Sequence, residues 1–184
     1  MGKSTKIRQN LEIALIAVAI LWIVHLLNIV IPIEFRFYGI RPRSLEGLRG
    51  IVFSPFLHGG FGHLIANTGA LFVLLTASMS FYRKLTLRAL LIIQVLGGGL
   101  VWLFGSGNSV HIGASGIIFG LIGFLMFIGF FRREWRALII SIAVVLFYGG
   151  ALFSLLTWMP GISWSGHFFG FLAGVLAAWW TKAT

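Results

Sequence analysis

The chain contains no cysteine and no aspartate, and its only carboxylate side chains are Glu12, Glu34, Glu46 and Glu134. Without cysteine there is no disulfide, no thiol nucleophile and no thiolate-bound zinc or iron–sulfur centre. Without aspartate there is no Ser-His-Asp triad. Charge is scarce as well: charged residues are 10% of the 184, where an ordinary soluble domain has about 25%. So few charges cannot cover a water-facing surface, and a soluble globular domain is excluded. Disorder is excluded too, because it needs low hydrophobicity, whereas 59% of these residues are hydrophobic and the mean hydropathy is +1.00.

The apolar residues fall into six runs, at about 11–33, 62–81, 85–104, 115–131, 137–157 and 165–181. Each is long enough to cross about 30 Å of hydrocarbon as a helix. The expected fold is an all-α membrane protein, one six-helix bundle over residues 1–184. The first run is no cleaved signal peptide, since its apolar stretch is too long and Asn28 to Pro32 offers no small-residue cleavage site.

The net charge of +10 sits in short clusters between apolar runs. That pattern suits anionic lipid headgroups better than nucleic acid, so no nucleic-acid partner is expected. Ten of the fourteen cations occupy one side: Lys3, Lys6, Arg8, Arg83, Lys84, Arg88, Arg132, Arg133, Arg136 and Lys182. The positive-inside rule makes that side cytoplasmic, with both termini inside. The other four cations lie in one long outer loop from Glu34 to Gly60. Its mixture of apolar and basic residues suits short amphipathic helices lying in the interface, and loops of this length are commonly functional.

Polar groups inside the spans are costly and so are candidates for function. The second span opens with His58, His63 and Asn67, the last two sharing a helix face. The fourth opens with Gly113-Ala114-Ser115-Gly116 and the sixth with Ser165-Gly166-His167. All three spans run from outside to inside, so His63, Asn67, Ser115 and His167 are expected at one depth, about 5–10 Å below the outer surface. The alternative is four unrelated capping or packing residues. His25 and His111 lack such partners in the sequence and read as interfacial or packing residues.

Glycines recur every four residues at Gly116 and Gly120, and again at Gly166, Gly170 and Gly174. Such stripes let helices approach closely in lipid. If they face each other, Ser115 and His167 meet. A serine hydroxyl becomes a nucleophile when an adjacent base takes its proton. The economical reading is a Ser–His dyad, with His63, Asn67 and the Ser115 backbone N–H as oxyanion donors.

These motifs together resemble the rhomboid intramembrane serine proteases in their minimal six-helix, bacterial form. Three motifs carry the resemblance: Gly113-Ala114-Ser115-Gly116, then His58, His63 and Asn67, then His167, Gly170 and Gly174. The first-loop segment from Tyr38 to Arg43 adds to it. The resemblance implies an endopeptidase that cleaves transmembrane segments of other proteins near the outer membrane surface, without a cofactor or metal. Ser115 would be the nucleophile and His167 the base. His63, Asn67 and Gly113 would form the oxyanion and substrate-binding side. His58, Gly116, Phe119, Gly166 and Gly170 would be structural, Phe119 replacing a common tyrosine that stacks on the catalytic histidine. Leu48-Arg49 stands where Trp-Arg is frequent. Substrates would enter laterally, with the fifth span and the Trp158–Trp164 loop as gate and cap. A prokaryotic plasma membrane is the location implied.

Three other readings compete. An inactive rhomboid-like client binder usually lacks the serine or the histidine, and both are here. A transporter should show charges or broken helices at mid-depth. A metal hydrolase would need a motif such as HExxH, which is absent.

Overall fold

The computed structural model describes residues 3–133, 135–156 and 163–181. The described residues are helical and short-looped. Helix α1 is Lys3–Val30. Its end is set by Pro32, which disfavours helical backbone in the residue before it and has no N–H to offer. The chain then leaves through Asn28, whose Oδ1 accepts the Phe35 N–H at 2.7 Å.

The long loop is built from short turns, at Phe35–Tyr38, Glu46–Arg49 and Ser54–Phe56, with a one-turn helix α2 at Gly50–Phe53. Part of its apolar surface stays outward, as in interfacial segments, with Leu45 84% exposed and Val52 59%, while Ile40 and Leu57 turn inward and are buried. Arg49 lies over the Tyr38 ring at 4.4 Å, and its guanidinium donates to the Phe37 carbonyl. Arg43 takes a left-handed conformation at φ 58 and donates to the Leu103 and Gly105 carbonyls at 3.1 and 2.9 Å. The Trp102 indole N–H returns a bond to the Ser44 carbonyl at 2.8 Å. The loop is therefore clamped to the bundle by hydrogen bonds at its basic and aromatic residues. Leu48, at the usual tryptophan position, is 41% exposed and is not one of the clamps.

Helix α3, Phe61–Ile92, is interrupted at Tyr82, whose φ −139 and ψ 47 are non-helical. There the chain doubles back. Ser78 and Thr86 hydroxyls are hydrogen-bonded at 2.7 Å, whereas eight residues of straight helix separate them by about 12 Å. Thus the second and third apolar runs form a helical hairpin. The returning limb passes a π-helical turn at Ile93–Gly97 and ends as α4, Gly98–Phe104. The last three helices are α5 (Ser115–Arg132), α6 (Trp135–Phe153) and α7 (Trp164–Trp180).

Helix α5 is the core. Leu121, Ile122, Phe124, Leu125 and Ile128 are fully buried, the mark of a helix that is apolar all round and enclosed. Its closest partner is α7, with α6, the α3 hairpin and the π-helical turn on its other sides. Helix α1 rests on α3, through the Trp22 indole to Thr68 at 3.0 Å. Helix α6 rests on α5, with the Ser141 hydroxyl donating to the Met126 carbonyl at 2.7 Å. The outward faces of α1 and α6 are apolar, with Ile16, Leu146 and Phe147 exposed. In water that would be an aggregation surface; here it is the lipid-facing shell of an integral membrane bundle.

Candidate active site

Ser115 is the first residue of α5, following Ala114 at φ −70 and ψ −5. At that position its N–H has no carbonyl one turn earlier in the helix to meet. His167 lies in the first turn of α7, its own N–H bonded to the Ser163 carbonyl at 3.1 Å. His63 and Asn67 stand one above the other in the first two turns of α3. Four side chains from three helix starts thus occupy the same end of the bundle.

Glycine brings two of these helices together. A Cβ on Gly170 would lie 2.2 Å from the Gly116 carbonyl oxygen, and one on Gly174 would lie 1.9 Å from that of Gly120. The two stripes face each other, backbone against backbone. The contact extends to Gly123, where a Cβ would lie 2.5 Å from the Phe171 carbonyl. Gly123 was not visible in the sequence, because it follows Gly120 by three residues and breaks the four-residue spacing. Gly116 and Gly166 meet more loosely at the mouth of this contact, a Cβ on Gly116 lying 3.5 Å from the Gly166 carbonyl.

Ser115, His167, His63, Asn67 and Phe119 all line one open cleft of about 1480 Å³. Phe119 stacks on His167, ring centroids 4.1 Å apart and planes 15° apart. The stack fixes the imidazole plane without a hydroxyl. Among the described residues no hydrogen bond joins Ser115 to His167, and His167 Nδ1 is buried without a partner. Geometry of this kind is common in sites without substrate and tightens when it binds.

Gly113 connects the α3 residues to the serine. Its φ is +112, which side-chain-bearing residues rarely adopt, and a Cβ there would lie 2.6 Å from the His63 ring and 3.6 Å from Asn67 Nδ2. Its N–H donates to the Ser54 carbonyl at 2.8 Å. We expect Gly113→Ala to push the His63 ring aside. The bundle should stay folded by circular dichroism while any activity of the site falls by about 10²-fold, the cost of a misplaced polar group.

His58 is buried and packs edge-on against His63 at 5.0 Å. Burial, reinforced by His63, pushes its ring down to about 4, so it is neutral in the physiological range. It also lines a separate cavity of about 200 Å³ with His25, Glu34 and Leu57, under the long loop.

One sequence expectation changes. His111 reads in the sequence as a packing or interfacial residue without partners; in the structure both ring nitrogens are engaged. Nδ1 meets the Ser163 hydroxyl at 2.7 Å and Nε2 the Ser109 hydroxyl at 3.3 Å. Its backbone forms a two-way bridge with Ile40 of the long loop, at 3.0 and 2.9 Å. The Ser163 partner lies far along the chain, so no local spacing could reveal it. Most of the Trp158–Trp164 loop, Glu134 and Lys182 fall outside the described residues.

No cluster of three metal-ligating side chains occurs among the described residues. The cleft instead offers a hydroxyl, imidazoles, an amide and the starts of three helices. Such a set suits acyl transfer, with a nucleophile, a base and donors for an oxyanion.

The family model described as Rhomboid domain matches residues 46–183. An uncharacterised protein of Mycobacterium tuberculosis is 38% identical over 178 residues, covering 90% of this chain and 72% of its own. RHOMBOID-like protein 5 of Arabidopsis thaliana is 32% identical over 126 residues, covering 65% of this chain and 39% of its own. A Bacillus subtilis protein with a provisional rhomboid-protease name, YdcA, is 30% identical, covering 65% of this chain and 60% of its own. No solved structure matches.

Proposed function

The chain belongs to the rhomboid family, and from that premise we propose that it is an intramembrane serine endopeptidase acting on transmembrane segments of other membrane proteins. The observation that carries this reading is the glycine contact of α5 with α7, which directs Ser115 and His167 into one cleft. His167 takes the Ser115 proton as the hydroxyl oxygen attacks the scissile carbonyl. The acyl–oxygen bond forms, the proton passes to the leaving amine, and water then releases the acyl group by the same base. His63, Asn67 and the Ser115 N–H donate to the oxyanion. Gly116, Gly166 and Gly170 hold the helix starts together, and Phe119 holds the imidazole plane.

The scissile bond has to leave its helix, because helical backbone is closed to attack. Segments with glycine or proline near the outer boundary are therefore the preferred substrates. The site faces outside and both termini are cytoplasmic, on the strength of the ten cations gathered on the other side. With mycobacterial and Bacillus relatives, a prokaryotic plasma membrane is the natural location.

A fluorophosphonate probe tests the chemistry without a known substrate. Attack by Ser115 Oγ on phosphorus expels fluoride and leaves a stable adduct. Mass spectrometry should find it on the peptide containing Ser115, and His167→Ala should prevent it. A second reading, an inactive client-binding rhomboid, starts from the lack of a Ser115–His167 hydrogen bond among the described residues, a geometry that a substrate-free protease also shows. Absence of the adduct in well-folded protein would select that reading.

Asn67→Ala and His63→Ala test the oxyanion assignment. Each should lower the cleavage rate of a fluorogenic transmembrane substrate by about 10²–10³-fold with the fold retained. Wild-type rates in both would place the oxyanion donors elsewhere.

A further inference from the structure

We propose that His111 is a positioning residue for the reaction, setting the first turn of α7 through the Ser163 hydroxyl so that His167 faces Ser115. The inference rests on the protease reading above.

The geometry is a strap between the two halves of the cleft. His111 precedes Ser115 by four residues, and Ser163 precedes His167 by four. Ser163 is the N-cap of α7, its hydroxyl accepting the Gly166 N–H at 3.2 Å. The same oxygen meets His111 Nδ1 at 2.7 Å. His111 itself is held at both backbone groups by Ile40. A fixed segment beside the nucleophile thus grips the cap of the helix that carries the base. An N-cap bond fixes the entry of the chain into its helix, and the direction of His167 follows from that entry.

Counting donors and acceptors selects one arrangement. In the first tautomer, Gly166 N–H donates to Ser163 Oγ, and the Ser163 hydroxyl donates to His111 Nδ1. On the other side, His111 Nε2–H donates to the Ser109 hydroxyl, which donates to the Ser106 carbonyl at 3.1 Å. Every bond in this chain is satisfied at once. The opposite tautomer makes Ser109 turn its proton back to the ring and lose the Ser106 bond. It also leaves the Ser163 proton without an acceptor among the described residues. Burial holds the His111 ring below its ordinary range, which keeps it neutral and able to accept at Nδ1.

The test uses the full-length protein in detergent micelles or proteoliposomes, with wild type and Ser115→Ala as reference. His111→Ala, Ser163→Ala and the double variant are compared for kcat and KM on a fluorogenic transmembrane substrate. The expected result is a fall in kcat of about 10-fold or more in each single variant, with KM little changed. The double variant should be no worse than the poorer single one, since the two residues act as a unit. His111→Asn, whose side-chain amide can stand in for the Nδ1 edge, should restore much of the rate. A second readout is independent of turnover. In protein labelled with ¹⁵N-histidine, Ser163→Ala should shift the His167 ring resonances while thermal midpoints stay within a few degrees.

Multiplying losses in the double variant, a rise in KM alone, wild-type kcat, or unmoved His167 resonances would each overturn the proposal. If Ser115→Ala cleaves as fast as wild type, or wild type cleaves nothing and takes no fluorophosphonate, the protease reading itself fails. If those controls hold and the His111 variants are unaffected, only the positioning role fails.

Discussion

Replacing Ser115 by alanine is expected to reduce proteolysis of a transmembrane substrate to below about one part in 10⁴ of wild type. The protein should be otherwise unchanged. Ser115 starts α5 and is only partly buried, so losing the hydroxyl opens no core cavity and strands no buried partner. The side chain has no hydrogen bond that the fold depends on among the described residues. His167→Ala should approach the same loss, because nucleophile and base act together and their effects do not add. Phe119 would then lose its stacking partner, so a modest fall in thermal midpoint is expected in that variant and none with Ser115→Ala. The measurement is cleavage of a fluorogenic transmembrane substrate in proteoliposomes, beside thermal unfolding. Residual cleavage by Ser115→Ala above one tenth of wild type would assign the nucleophile wrongly.

The second large effect is structural. Gly174→Ala places a methyl group 1.9 Å from the Gly120 carbonyl oxygen, and no rotamer can relieve a clash with backbone. Helices α5 and α7 must separate along their contact. In lipid the close approach of helices is itself the source of their attraction, so separation forfeits it. A destabilisation of about 3 kcal/mol or more is expected, with loss of fluorophosphonate labelling at Ser115 as α7 carries His167 away. Gly99→Ala is the control. Among the described residues nothing lies within 4 Å of a Cβ there, and alanine is the better helix former, so that variant should be unchanged or slightly more stable. Equal midpoints for the two variants would remove the glycine contact from its proposed role.

The helices were legible in the sequence because lipid leaves the chain few options: long apolar runs become helices, and charges collect between them. The corner at Tyr82 follows from this, falling just before Arg83 and Lys84. The glycine stripes at Gly116 and Gly170 were legible as a pattern, and their facing each other only as a condition, since a spacing names a face without naming what it meets. His111 and Arg43 were opaque for another reason. The histidine is defined by Ser163, far along the chain, and the arginine by a left-handed backbone that returns it to Leu103 and Gly105. Neither has a periodic signal. The pattern of polar residues fixed which side chains share one end; the hydrogen bonds that join loop to helix came only from tertiary structure.

The one-sided seat of α6 separates two temperatures. Its principal support is α5, and its outer face, with Leu146 and Phe147, meets no other described helix. Yet Tyr148 and Ala151 of α6 form a wall of the cleft that holds Ser115 and His167. A helix seated on one side should detach early on warming, while the enclosed α5 and its glycine contact with α7 persist. Heat inactivation should therefore begin well below the melting of the bundle. In the interval between, cooling should restore activity in full, because the part that came loose has only one surface to find again.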